Sequence, residues 1–352
     1  MNLNPFGWDG FFAQAFAGYP EHEYAPGRVI AEHRGGYGVA TEMGEVAAAV
    51  SGRLRHAAHG PADFPAVGDW VVLERRELPA RGLIQAVLPR KSRFARRAAG
   101  GPSEAQLVAA NVDVLFLVSG LDGDFNVRRI ERYLVLAWES GANPVIVLNK
   151  ADVCGELEER VRAVERVAPG VPVVAVSAAS GSLECLAPWL ASGRTVALLG
   201  SSGAGKSTIA NRLLGCPLQA VGAVREDDSR GRHTTTARQL LQLPGGALLI
   251  DTPGMRELQL LAGEDSLETA FADVEALASR CRFRDCRHTN EPGCAVQAAL
   301  LAGELEAARL ESYRKLQREA AFEARRQERS AAQVEKERWK RIHKAQRERR
   351  KT

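Results

Sequence analysis

Eight residues constrain this chain more than any others: Gly200-Ser201-Ser202-Gly203-Ala204-Gly205-Lys206-Ser207, placed directly after the apolar run 195–199. The pattern G-x-x-x-x-G-K-[ST] between a strand and a helix is a phosphate-binding loop. Its small residues let the backbone curl until successive N–H groups face one anionic centre, and the helix that starts near Thr208 adds its positive end. Lys206 would carry its ammonium to the β- and γ-phosphates of a nucleotide, and the Ser207 hydroxyl would ligate Mg2+. Such a loop needs a parallel sheet flanked by helices, with the ligand beyond the carboxyl ends of the strands.

The surrounding sequence supplies that sheet. From Asn111 the pattern alternates: strands are predicted over 112–118, 145–148, 171–176, 195–199 and 247–250, and helices over 128–139 and 156–167. The strand 145–148 ends in Asn149-Lys150-Ala151-Asp152. This is the N-x-x-D arrangement that selects guanine, because the Asp152 carboxylate accepts from a ring N–H and an exocyclic amine that adenine lacks together. Ser177-Ala178, one strand later, fits the companion element whose backbone N–H meets the guanine carbonyl. Asp251-Thr252-Pro253-Gly254 closes the strand 247–250: Asp251 would hold Mg2+ through water, and Gly254 would bring its N–H to the γ-phosphate. Between these motifs lies Arg230-Gly231-Arg232-His233-Thr234-Thr235-Thr236, where Thr235 is the candidate to close over Mg2+.

Two departures stand out. The guanine motifs precede the phosphate loop, whereas a conventional GTPase has them after it, so the order is circularly permuted. Met255 also follows D-T-P-G where many GTPases carry the Gln that orients the attacking water. His233 is the nearest polar candidate for that role; a surface histidine is the other reading. Slow intrinsic hydrolysis, accelerated by a partner, follows as the expectation.

Before the sheet, short strands are predicted at 28–33, 37–41, 45–51, 69–74 and 82–87, separated by Gly and Pro and without a helix of any length. Five such strands suggest a small barrel, most economically an OB-fold. Arg90, Lys91, Arg93, Arg96 and Arg97 follow as a basic segment, read either as a solvated linker or as a phosphate contact.

Cys281, Cys286, His288 and Cys294 offer three thiolates and one imidazole within fourteen residues. That is the ligand count of a structural tetrahedral zinc site, with free thiols or disulfides as the alternatives. Cys154, Cys185 and Cys216 are isolated and read as buried or partly buried free thiols. The formal net charge of +4 is uneven: residues 314–352 hold fifteen Lys or Arg against six Asp or Glu, which leaves −5 for the first 313 residues. The basic tail, with Trp339 inside it, is either a solvated helix or an RNA-facing one. No apolar run reaches the roughly 18 residues of a membrane span, and the aromatic N-terminus lacks the basic region of a secretory signal. A cytoplasmic location, without membrane attachment, is the expectation.

Together, N-K-A-D, G-S-S-G-A-G-K-S, G-R-H-T-T-T, D-T-P-G and C-R-F-R-D-C-R-H-T-N-E-P-G-C, in this order, resemble the ribosome small-subunit-dependent GTPase A family (RsgA). The resemblance runs from about Gly27 to the basic tail. It implies an N-terminal OB-fold, a permuted GTPase domain and a C-terminal zinc-binding domain, acting late in maturation of the small ribosomal subunit, which stimulates the GTPase. It also implies Cys281, Cys286, His288 and Cys294 as zinc ligands and His233 as the catalytic histidine. The domains expected are a lead at 1–27, the barrel at 28–100, the GTPase at 101–262 and a helical zinc domain with its tail at 263–352. The partners expected are GTP and GDP, the small subunit and its 16S rRNA, with the protein itself a monomer. The rival readings are an RNA-binding assembly factor that uses GTP only as a conformational switch, and a GTPase acting on a non-ribosomal RNA or protein.

Overall fold

The computed structural model describes residues 3–33, 35–79, 81–97, 105–217, 238–251 and 264–325, which fall into two compact units. The first unit is dominated by an eleven-stranded sheet that runs from the α/β region into a closed barrel.

The barrel consists of β1 (Tyr24–His33), β2 (Gly36–Thr41), β3 (Gly44–Val50), β4 (Trp70–Glu74) and β5 (Gly82–Val87). Antiparallel neighbours run β3-β2-β1-β4-β5, and β3 closes against β5 in parallel. That order, with a short helix α2 (Gly52–Ala57) between β3 and β4, is the OB-fold topology. Val29, Val39, Val71, Leu73 and Ile84, all fully buried, form the barrel core together with Val46 and Ala48.

The sheet continues through β8 (Val114–Gly120), β9 (Asn143–Asn149), β10 (Val173–Val176), β11 (Thr195–Gly200), β12 (Arg238–Gln242) and β13 (Leu248–Asp251). Their order is β10-β9-β8-β11-β13-β12, all parallel except β12. Every residue of β8 is buried, as expected of a strand covered on both faces, which explains its unbroken V-L-F-L-V run. The helix α3 (Val127–Ser140) buries Ile130, Leu134 and Ala137; Asn126 caps its start through the Arg129 N–H, and Gly141 turns left-handed at its end. It is followed by α4 (Leu157–Val167) and α5 (Lys206–Leu214). A separate pair, β6 (Arg93–Arg97) and β7 (Ala105–Ala110), forms a two-stranded ribbon.

Four features depart from the sequence reading. β12 was not among the predicted strands, and it joins the two halves of the sheet by pairing Gln239 with Ala31 and Arg238 with Glu32 of β1. The aromatic lead is part of the fold: α1 (Gly10–Phe16) buries Phe12 and Phe16, and Trp8 meets Trp70 of the barrel edge-on at 4.7 Å. The basic segment is neither free linker nor phosphate contact at Arg90, which grips both oxygens of fully buried Asp69 at 2.8 Å and the carbonyls of Ala62 and Phe64. Among the isolated cysteines, 154 and 216 are partly buried as expected, whereas Cys185 is exposed.

Arg28 ties these parts together. Its buried guanidinium donates to the carbonyls of Phe6, Gly68 (3.2 Å) and Asn111 (3.2 Å) and to the Thr195 hydroxyl (2.8 Å). The lead, the barrel and the first residue of β11 therefore share one cation. Burial lowers its pKa to about 10, so it stays charged at neutral pH. Arg28→Met would leave several buried acceptors without a donor, and a loss of about 3 kcal/mol of stability is expected. Chemical denaturation checks this; an unchanged midpoint would refute the role of the guanidinium.

The second unit is helical: α6 (Glu264–Ala270), α7 (Ala272–Ala278), α8 (Ala295–Ala302) and α9 (residues 307–325) surround Phe271, Val274 and Val296, all fully buried. Arg309 of α9 lies over the Phe271 ring and forks onto Asp273 at 2.7 and 3.1 Å. Among the described residues no helix is long and apolar enough to cross a membrane.

Candidate functional site

Parallel pairing places the carboxyl ends of β9, β8 and β11 side by side, so the loops that follow them converge. After β11 the chain enters the loop Gly200–Ser207, whose conformation depends on glycine. Gly205 has φ +97°, and a Cβ there would come within 2.0 Å of the Asn149 side chain; one on Gly200 would strike the Val118 carbonyl at 2.1 Å. Gly203 is also left-handed, and the helix α5 begins at Lys206, so Ser207 and Thr208 lie in its first turn. The Lys206 ammonium donates back to the carbonyls of Gly200 (2.6 Å) and Ser201, which holds it over the cradle.

Asn149 unites the motifs. Its buried side chain donates to the Ala204 carbonyl at 2.9 Å and accepts from the Ala178 N–H at 2.9 Å. One amide thus fixes the phosphate loop, the guanine loop and the Ser177-Ala178 turn to one another. The Asp152 N–H donates to the Ser177 hydroxyl at 3.0 Å, and Arg212 of α5 donates to the Ala178 carbonyl at 3.0 Å. Ser201, Ser202 and Gly203 occupy the turn ahead of α5.

The loop after β8 was missed in the sequence. Asp122 pairs with the Lys150 ammonium, and Asp124 accepts from the Ser201 hydroxyl and from Arg129 at 2.7 Å. The Lys150 contact holds the Asp122 carboxyl below the usual range, and Arg129 followed by Ser201 does the same for Asp124. A signal was present in the string L-D-G-D-F, but it reads as an ordinary turn until β8 is set beside β11.

Asp251 ends β13, next to β11 in the sheet, with its backbone paired to Gln239. His233 and Thr235, in 218–237, and Gly254, in 252–263, lie outside the described residues, as do Met255 and the tail beyond 325.

In the helical unit Cys281, Cys286, His288 and Cys294 converge, with all four ligand atoms within 4.8 Å of one another. The Cys281 and Cys294 sulfurs are 3.8 Å apart, and His288 Nδ1 lies 3.5 and 3.6 Å from them. Three thiolates and an imidazole set tetrahedrally about 2.0–2.3 Å from one centre would be separated by about 3.5–3.8 Å, which the Cys281, Cys294 and His288 atoms match, so the cluster could hold a metal ion. The supporting shell is built in. His288 is left-handed, with its carbonyl held by Gln297 and Arg314, and Cys294 caps α8 by accepting from the Gln297 N–H at 3.4 Å. Burial, then the Arg314 charge, lowers the His288 pKa and favours the neutral imidazole a metal needs. Glu291 folds the loop over by accepting from the N–H groups of Arg287 and Thr289; its own N–H, followed by those contacts, holds its carboxyl down at about 2.

Residues 87–261 match the family model described as RsgA GTPase. The small ribosomal subunit biogenesis GTPase RsgA of Opitutus terrae is 50% identical over 99% of this chain and 98% of its own. The small ribosomal subunit biogenesis GTPase RsgA 2 of Lactiplantibacillus plantarum is 51% identical over 84% of each chain. The crystal structure of YjeQ from Thermotoga maritima superposes with a TM-score of 0.63 at 28% identity, covering 85% of this chain and 99% of that one.

Proposed function

The chain belongs to the RsgA GTPase family, and from that premise we propose that it binds the small ribosomal subunit and couples GTP hydrolysis to a late step of subunit maturation or to its own release. The observation that carries this is the Asn149 amide: it joins the guanine loop to the phosphate loop although the chain visits them in reversed order.

In this reading the amides of Gly200–Ser207 and the start of α5 at Thr208 cradle the phosphates, and Lys206 neutralises charge that builds on the β- and γ-phosphates. Asp152 reads the guanine edge, Lys150 covers the base and the Ser177-Ala178 backbone meets its carbonyl. Ser207 and Thr235 would hold the Mg2+ that accompanies GTP, with Asp251 reaching it through water, and Gly254 would donate to the γ-phosphate; the ion would neutralise phosphate charge there. His233 orients the attacking water in place of the Gln that Met255 replaces.

The Cys281, Cys286, His288 and Cys294 cluster takes Zn2+, since three converging thiolates and an imidazole suit that ion and leave no position open for catalysis. We assign 16S rRNA contacts to the barrel, the zinc unit and the basic tail, and GTP-state sensing to the motifs at 230–236 and 251–254. The domains are then 1–27, 28–100, 101–262 and 263–352, in a monomer that works in the cytoplasm.

Turnover with and without purified small subunits tests the proposal. Subunits should accelerate GTP hydrolysis by roughly a thousandfold if they act as a GTPase-activating partner does. His233→Ala should keep GTP affinity and lose most of that acceleration. Normal GTP binding without stimulation would overturn the ribosomal reading. Full stimulation of His233→Ala would remove the histidine alone.

A further inference from the structure

The loop Gly120–Asp124 contacts both halves of the nucleotide site, and no motif assigns it a part there. It leaves β8 between the two strands that carry those halves, β9 and β11. Its start is secured: the Leu121 N–H donates to the Asn149 carbonyl at 2.8 Å, and Arg160 of α4 donates to the Leu121 carbonyl at 2.6 Å. The Asp124 N–H donates to Asp122 Oδ1 at 3.2 Å, so the two carboxylates are set by one turn. Gly120 has no side chain to intrude: a Cβ there would lie 2.7 Å from Asp122 Oδ1 and 3.7 Å from the Lys150 ammonium.

From this geometry we infer that Asp122 and Asp124 are positioning residues for nucleotide binding, Asp122 acting through Lys150 and Asp124 through Ser201. The inference rests on the nucleotide site proposed above. Lys150 sits in a left-handed turn, φ +67°, at the head of the 3-10 turn that presents Asp152. Its stem has four rotatable bonds, and half-exposed ammonium groups ordinarily sample many positions. The Asp122 carboxylate restricts that sampling before the base arrives, so less entropy is lost on binding. On the other side, Asp124 fixes the hydroxyl of Ser201, the second residue of the phosphate loop, whose carbonyl also receives the Lys206 ammonium. One loop therefore sets the spacing between the base and phosphate halves.

The experiment is a double-mutant cycle on the full chain, read as the dissociation constant of a fluorescent N-methylanthraniloyl GDP. Asp122→Ala should weaken binding about fivefold, the upper range for a partly exposed ion pair. In a Lys150→Ala background the same substitution should change binding by less than about twofold. Asp122→Asn, which keeps the shape and removes the charge, should behave like Asp122→Ala; it also stands in should the alanine variant fold poorly. The parallel cycle pairs Asp124→Ala with Ser201→Ala. An Asp122 substitution that leaves affinity unchanged, or that weakens it equally with and without Lys150, overturns the inference for Asp122; the same outcomes against Ser201 overturn it for Asp124. Were the unaltered chain not to bind the probe, or Lys150→Ala to bind as tightly, the site assignment itself would fall instead.

Discussion

Lys206→Ala is expected to reduce GTP turnover by at least about a hundredfold, the loss typical when one donor is removed from a developing anionic charge. The size follows from where the ammonium sits. It is the positive group at the mouth of a loop otherwise made of backbone amides, and the Gly200 and Ser201 carbonyls already hold it there. No large reorganisation precedes its contact with phosphate. A transition state that spreads charge over the transferred group gains more from that ammonium than the ground state does, so kcat should fall as well as affinity. The fold should persist. Ala204 and Ile209, which carry the loop and α5 into the core, are fully buried and untouched by the change. Single-turnover hydrolysis, with a thermal melt of the nucleotide-free protein as control, checks both halves. Unimpaired hydrolysis in a correctly folded Lys206→Ala protein would remove the phosphate loop from the mechanism.

How far this site could be read from the chain depended on whether its chemistry was local. The motifs Gly200–Ser207 and Asn149–Asp152 stand out because each is a short string of fixed spacing, although Ala204 and Ala178, which Asn149 joins, lie far along the chain from it. The five barrel strands were legible from their punctuation, and β5 falls at residues 82–87 as expected. What escaped depended on distant partners. Arg28 looks like a surface residue until Phe6, Gly68, Asn111 and Thr195 surround it. Arg90 looks like part of a basic run, yet Asp69, twenty-one residues earlier, accepts from its Nε and one Nη while the Ala62 and Phe64 carbonyls accept from the rest of the fork. β12 reads R-Q-L-L-Q, too short and too polar to announce itself, and it is a strand because β13 and β1 flank it. Phe12 and Phe16 are spaced as a helical pair, but nothing local says that Phe12 meets Trp70 and Phe16 meets Trp8 and Tyr19. Asp122 and Asp124 acquire a role only from the parallel order of β9, β8 and β11.

Removing the proposed zinc should have the second large effect, and it should be confined to the helical unit. Residues 281–294 contain no helix or strand; what shapes them is four converging ligands, the Glu291 turn and the contacts of Arg314 and Gln297 with the His288 carbonyl. Structural zinc contributes roughly 10–16 kcal/mol of apparent binding free energy in small domains, as much as the whole stability of a typical domain. The apolar core here is small, centred on Phe271, Val274 and Val296, and cannot replace that contribution. Chelation, or Cys294→Ser, should therefore release the 281–294 loop and the start of α8, since Cys294 is both a ligand and the residue that caps that helix. Limited proteolysis should cut within 282–293, while the barrel and the α/β sheet, with separate cores, keep their protection and GDP binding survives. If stoichiometric metal is absent from protein purified without chelator, or chelation leaves 282–293 as resistant as before, the cluster is held by packing and hydrogen bonds, and the tetrahedral spacing of its sulfurs and imidazole has another cause.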